Sequence, residues 1–289
     1  MESKKWGNKF RAVCRTAMEE YVSWITSSKM LLLVFLFVYT KGQITDQLLQ
    51  LVKITGNPLQ VFEPGIAFLG SRPMMMVLPL VYLVLMANFP KEDGNKTFFM
   101  FRTGKGVWFL GQFLFALAGG MTTILVCVLA VTLPCLGNIS WNDGGWSETV
   151  TKYYQSEDAM NFRFNLITER EYNHMTPGTA FLHSILLVLL FLMLISAIQL
   201  FCSVCEKKVF GFAIVGCIVT IGNALAIFEN QRLMWFFPCA NTQIWLRHDE
   251  ILREETVRLQ TSYGYFLVLL AIITFFAWRN LKKRNIKIS

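Results

Sequence analysis

Charge is scarce in this chain of 289 residues: Asp, Glu, Lys and Arg together make up 16%, against 54% apolar residues and 25 phenylalanines. Soluble globular domains carry nearer a quarter charged residues, so a soluble class is excluded, and disorder, collagen and coiled coil fall with it. Seven cysteines are too few to frame a disulfide scaffold. The three histidines, His174, His183 and His248, form no HExxH or comparable zinc pair. There is no GxxxxGK[ST]; the nearest string, Gly104-Lys105-Gly106, lacks both the spacing and the hydroxyl residue, so the chain has no phosphate-cradling loop of its own. No catalytic residues and no cofactor are expected in it.

What is present is length of apolar sequence. Mean hydropathy is +0.44, and five stretches have span character alone: Met74–Phe89, Val107–Pro134, Ala180–Cys202, Val209–Phe228 and Tyr263–Trp278. About 20 apolar residues cross the hydrocarbon as a helix. A sixth stretch, Met30–Tyr39, reaches span length if it recruits Val22–Ser28, with Lys29 extending its amine to the interface. The expected fold is an all-α integral membrane protein of six transmembrane helices, residues 30–289, behind an N-terminal amphipathic helix, residues 1–29. No basic n-region and cleavage site lead into the first apolar run, so a removable signal peptide is not expected.

Lys and Arg orient the spans. With the N-terminus inside, 17 of the 27 basic residues but only 6 of the 19 acidic ones fall on inner segments. Both termini are therefore expected in the cytoplasm and the chain in the cell membrane, multi-pass. The net charge of +8 is then an inner-face property, and no separate patch is left for nucleic acid. Trp6, Phe10, Val13, Ala17, Tyr21 and Trp24 recur at helical spacing among Lys9, Arg11 and Arg15, which suits a helix in the headgroup plane, either a plain anchor or one that also touches a cytoplasmic partner. The inner loop 90–107 has an aromatic centre, Phe98, Phe99 and Phe101, flanked by Arg102 and Lys105, and is too apolar to be freely solvated. Outer loops span 137–179 and 229–262. Within the spans, Gln112, His183, Gln199 and Asn223 either bond between helices or line a pathway; Gln199 and Asn223 are the pathway candidates. No carboxylate stands mid-span to relay a proton.

Six spans, cytoplasmic termini, an amphipathic N-terminal helix and the basic end WRNLKKRNIKI resemble the permease subunit of a type-2 ABC exporter, in particular those of Gram-positive bacterial peptide and drug exporters. The inner segment Asn88-Phe89-Pro90, then Phe101-Arg102-Thr103-Gly104-Lys105 and Trp108-Phe109-Leu110-Gly111-Gln112, is similar to the link between the second and third spans there. The likeness covers the whole chain in topology and roughly 63–112 in motif. It implies a partner: a cytoplasmic ABC ATPase that holds the ATP and Mg. A second permease subunit, identical or a paralogue, would complete a central path. Trp6, Phe10, Arg11, Phe98, Phe99, Phe101, Arg102 and Lys105 would couple the ATPase to the spans. The substrate would be an amphipathic peptide or toxin first, a lipid or drug next. A membrane interaction or immunity protein without a translocation path is the alternative.

Overall fold

The structure is a computed structural model and describes residues 2–91, 104–141, 144–155, 166–228, 232–248 and 255–283. Phe98, Phe99, Phe101 and Arg102, and the side chain of Trp6, lie outside the described residues. The described chain is almost wholly helical, with one two-residue parallel pairing of β1 (Leu59–Gln60) on β2 (Ile139–Ser140). Its helices are α1 (Glu2–Ile25), α2 (Leu31–Thr40), α3 (Asp46–Thr55), α4 (Glu63–Gly70), α5 (Arg72–Leu85), α6 (Lys105–Cys135), α7 (Glu148–Gln155), α8 (Glu169–His174), α9 (Pro177–Val204), α10 (Lys208–Ile227), α11 (Pro238–Thr242) and α12 (Leu259–Lys283).

Four of these, α6, α9, α10 and α12, are long and apolar enough to cross a membrane by themselves, and the number rises to six if each of two bent pairs counts as one span. The bundle is built around α9: 61% of its most apolar window is buried, against 17% for α12, which turns its Leu267, Val268, Ile272, Phe275 and Phe276 outward. In lipid such a face costs nothing, because the hydrocarbon is as apolar as the side chains.

In the first bent pair the chain turns by 62° between Ile25 and Ser28, and beyond the apolar run at residues 30–39 the helix continues past Tyr39 to Thr55 through a π-turn at Lys41–Thr45. The reason is a second periodicity beneath the polar letters. Ile44, Leu48, Leu51 and Val52 are buried at helical spacing, while Lys41, Gln43 and Asp46 stay exposed. Gly56, at φ 70, then ends α3.

The second bent pair, α4 and α5, turns by 77° at Ser71. Pro73 explains it. A continuous helix would need a hydrogen bond from residue 73 to the Leu69 carbonyl, and proline has no N–H to give. The freed Leu69 carbonyl accepts from Gln243 Nε2 at 3.4 Å, and the Gly70 carbonyl from Trp245 Nε1 at 3.0 Å. The Arg72 guanidinium lies 4.9 Å over the Trp245 ring. A break that would strand two buried carbonyls is thus capped from 174 and 175 residues away in sequence.

Amphipathic α1 lies lengthwise on α6, Thr16 and Val13 against Gly111 and Trp24 against Gly119. Tyr21 shares a hydrogen bond with Thr122 at 2.8 Å, Gln112 Nε2 donates to Glu20 at 3.3 Å, and Trp24 Nε1 donates to the Leu85 carbonyl at 3.2 Å. Of the predicted stripe, Ala17 and Trp24 are buried, but Phe10 is 66% exposed. A Cβ on Gly111 would sit 2.7 Å from Thr16 Cβ and 3.3 Å from the Val13 carbonyl. We therefore expect Gly111→Leu to destabilise this contact by about 1–3 kcal/mol. The measurement is maleimide labelling of half-buried Cys14 on α1, read by peptide mapping: it should rise in Gly111→Leu, and an unchanged rate together with an unchanged melting temperature would count against the close approach.

Candidate functional site

The connectors sort to two ends of the bundle. At one end Lys105 Nζ donates to the Lys282 carbonyl (3.2 Å), Lys208 Nζ to the Pro90 carbonyl (3.2 Å), and Asn280 Nδ2 to Cys205 Sγ (3.4 Å). These are the segments that the Lys/Arg bias assigns to the inner side. Lys105 thus stands at the start of α6, tied to the end of α12, and both ends of the 90–107 loop belong to this rim. Phe10 and Arg11, both exposed, precede the turn of α1 whose Val13 carbonyl faces Gly111. Of the eight residues expected to couple a partner, the described ones therefore stand on α1 and on the helix it packs along.

At the other end the described parts of the loops 137–179 and 229–262 fold into a polar cap. Glu63 is fully buried and accepts the backbone N–H groups of Gln60 (2.9 Å) and Ser147 (2.7 Å), pinning α4 to the loop after β2. Arg247 is the second node. Its guanidinium donates to the Asn241 carbonyl (2.8 Å), Ser262 Oγ (2.7 Å) and the Arg258 carbonyl (3.4 Å), and Ser262 donates in turn to Asn241 Oδ1 at 2.6 Å. One side chain so joins α11, the turn Trp245–Arg247 and the first turn of α12. Burial lowers the guanidinium to about 10, with Glu255 and Tyr263 acting against it, so it stays charged at neutral pH.

Around α8 the cap gathers titratable groups. Glu171 closes a capping box with Thr168, yet it is 1% exposed, and burial raises its carboxyl to about 7 against the hydrogen bonds from Thr168. His174 and His248 stack at 4.0 Å between ring centroids. Burial lowers His248 first, with the charges of His174, Arg247 and Arg170 adding to it and Glu255 opposing. Among the described residues no group of three or more His, Cys, Asp or Glu is placed to hold a metal ion.

The two pathway candidates do not meet. Gln199 is fully buried on α9 with its Oε1 toward Gly211, and neither its Oε1 nor its Nε2 has a hydrogen-bond partner among the described residues. Asn223 is buried on α10 and donates weakly to Met76 Sδ at 3.5 Å. Gly211 and Asn223 are twelve residues apart on α10, roughly 18 Å of helix rise. Both amides sit between helices of one chain. Sequence reasoning missed a third polar node midway: Tyr82 OH pairs with Ser196 at 2.9 Å and reaches the Ala116 carbonyl at 3.3 Å, joining α5, α6 and α9. A lone Tyr and Ser in apolar runs carry no signal of being paired.

No family model, no curated protein and no solved structure matches this chain.

Proposed function

We propose that the chain is the membrane-spanning permease subunit of an ATP-driven exporter, with six spans, both termini in the cytoplasm, and ATP and Mg held by a separate ABC ATPase. The observation that carries this reading is the convergence at one rim of the basic connectors, both ends of the 90–107 loop and the helix α6 on which α1 lies. A motor seated there would reach the bundle through two levers: α1, packed along α6, and the loop between α5 and α6. Phe98, Phe99 and Phe101 suit an apolar groove on that motor, and Arg102, Lys105 and Arg11 an acidic rim. A second permease subunit, a copy or a paralogue, supplies the other half of the path, and the apolar spans suit an amphipathic peptide or toxin, then a lipid or drug.

One observation favours the alternative, a membrane interaction or immunity protein without a path: Gln199 and Asn223 are buried between helices rather than along a common channel. Gentle solubilisation from native membranes distinguishes the two. A permease should bring down a P-loop ATPase, and Phe99→Asp combined with Arg102→Glu should weaken that association on the order of 30-fold or more if both are anchoring contacts. Recovery of the folded chain without any ATPase, or transport by the purified chain alone, would remove the permease reading.

A further inference from the structure

At the basic rim, a cavity of about 70 Å³ opens between α1, the turn before α2 and the end of α5. That is room for several waters or one phosphate-sized group. Its floor is aromatic and stiff: the rings of Trp24 and Phe115 meet edge-on at 6.1 Å, and Phe89 packs on Phe115 at 5.3 Å. All three are buried, and the indole N–H is engaged by the Leu85 carbonyl. Lys29 and Lys91 stand at its walls, and Lys208 is near enough for its charge to act on Lys29. Among the described lining residues one carboxylate, Glu20, stands against these, and it accepts from Gln112. The balance of the described lining is positive.

The height of the site matters as much as its charge. It lies where α5 ends and the first apolar helix begins, which is headgroup level for a chain whose neighbouring helices are apolar over span length. From its rim α2 carries Leu31, Val34, Phe35 and Val38, all more than half exposed and spaced along one side of the helix. A ligand that is anionic at the cavity and hydrocarbon beyond it satisfies both features. Basic pockets between membrane helices take lipid headgroups in this way, each lysine adding to the attraction.

The geometry points to a binding site for an anionic glycerophospholipid, its phosphate between Lys29 and Lys91 over the Trp24–Phe89–Phe115 floor and an acyl chain along α2. The site does not depend on the ATPase partner, and its occupant would bridge α1 to α2 and α5 beside the loop 90–107.

Native mass spectrometry of the full detergent-purified chain tests this, titrated with phosphatidylglycerol and, separately, phosphatidylethanolamine of the same acyl chains. The expected result is preferential retention of phosphatidylglycerol. Lys29→Gln and Lys91→Gln should each weaken it roughly fivefold, while Lys282→Gln, at the same end on α12, leaves it unchanged. Equal retention of the two lipids, or equal loss in the Lys282→Gln chain, overturns the proposal. Displacement by soluble glycerol phosphate at the concentrations at which the lipid binds would also overturn it, since the site would then be one for a free phosphoester. Lys91 is solvent-exposed, so Lys91→Gln keeps the comparison decisive even if Lys29→Gln fails to fold.

Discussion

Replacing Arg247 by alanine is expected to cost about 3 kcal/mol or more of stability, the largest loss of any single substitution in the polar cap. The guanidinium is fully buried and makes hydrogen bonds to two carbonyls and a hydroxyl across three segments. Bonds to a charged group contribute about 1.5–3 kcal/mol each, and truncation also strands the buried carbonyl of Asn241. Asn241 would lose its position as well, because Ser262 would be left bonding to it alone. Arg247→Lys should recover little: an ammonium on a flexible stem cannot span the forked geometry that reaches Asn241, Ser262 and Arg258 together. Thermal unfolding in detergent, followed by tryptophan fluorescence, measures this directly; a melting temperature within a degree of the parent for Arg247→Ala would mean that the cap holds without its central cation.

The second large effect is a dependence on pH. Glu171 is protonated in the folded chain up to about 7, against an ordinary carboxyl near 4.5. Between those values the folded state holds a proton that the unfolded state has released. Its contribution to stability is therefore full below about 4.5 and is lost as pH rises through about 7, an effect of about 3 kcal/mol at one pKa unit per about 1.4 kcal/mol. Glu171→Gln should remove this slope and leave the chain more stable than the parent above pH 7. His248 acts with the opposite sign. Its imidazole is held below the usual histidine range, so its contribution is present above about 6.5 and is lost as the pH falls. Melting temperatures of the parent, Glu171→Gln and His248→Phe between pH 5 and 8 separate the two. Parallel profiles for the parent and Glu171→Gln would show that the buried carboxyl does not titrate in this range.

Both predictions rest on residues that carry no sequence signal. Arg247 and Glu171 read as ordinary charges in the outer loops, and Arg247 is engaged only because Asn241, Arg258 and Ser262 come together around it. A window of sequence reports which side chains are polar but not which carbonyls a break will strand. Leu69 and Gly70 need Gln243 and Trp245 only because Pro73 interrupts the helix, and nothing near Pro73 names those partners.

The long apolar runs were legible because a helix in hydrocarbon must satisfy its own backbone, so length and hydropathy alone mark it. The five stretches read as spans coincide with α5, α6, α9, α10 and α12 within a few residues at most ends. The continuation of the helix past Tyr39 was not legible for the converse reason. Lys41, Asp46 and Lys53 lower the average hydropathy of residues 41–55, yet the helix goes on because one face stays apolar and packs inward. Averaging loses a periodic signal that packing reads.

By itself, then, the order of residues determined an almost wholly helical chain with four to six helices fit to cross a membrane, and the division of charge between its connectors. Only the tertiary structure decided that α1 lies along α6, that Gln199 and Asn223 stay apart, and that a buried guanidinium and buried carboxyl groups knit one end of the bundle. Hydrophobic length is a local property of a segment. Pairing a buried polar group depends on what folding brings beside it.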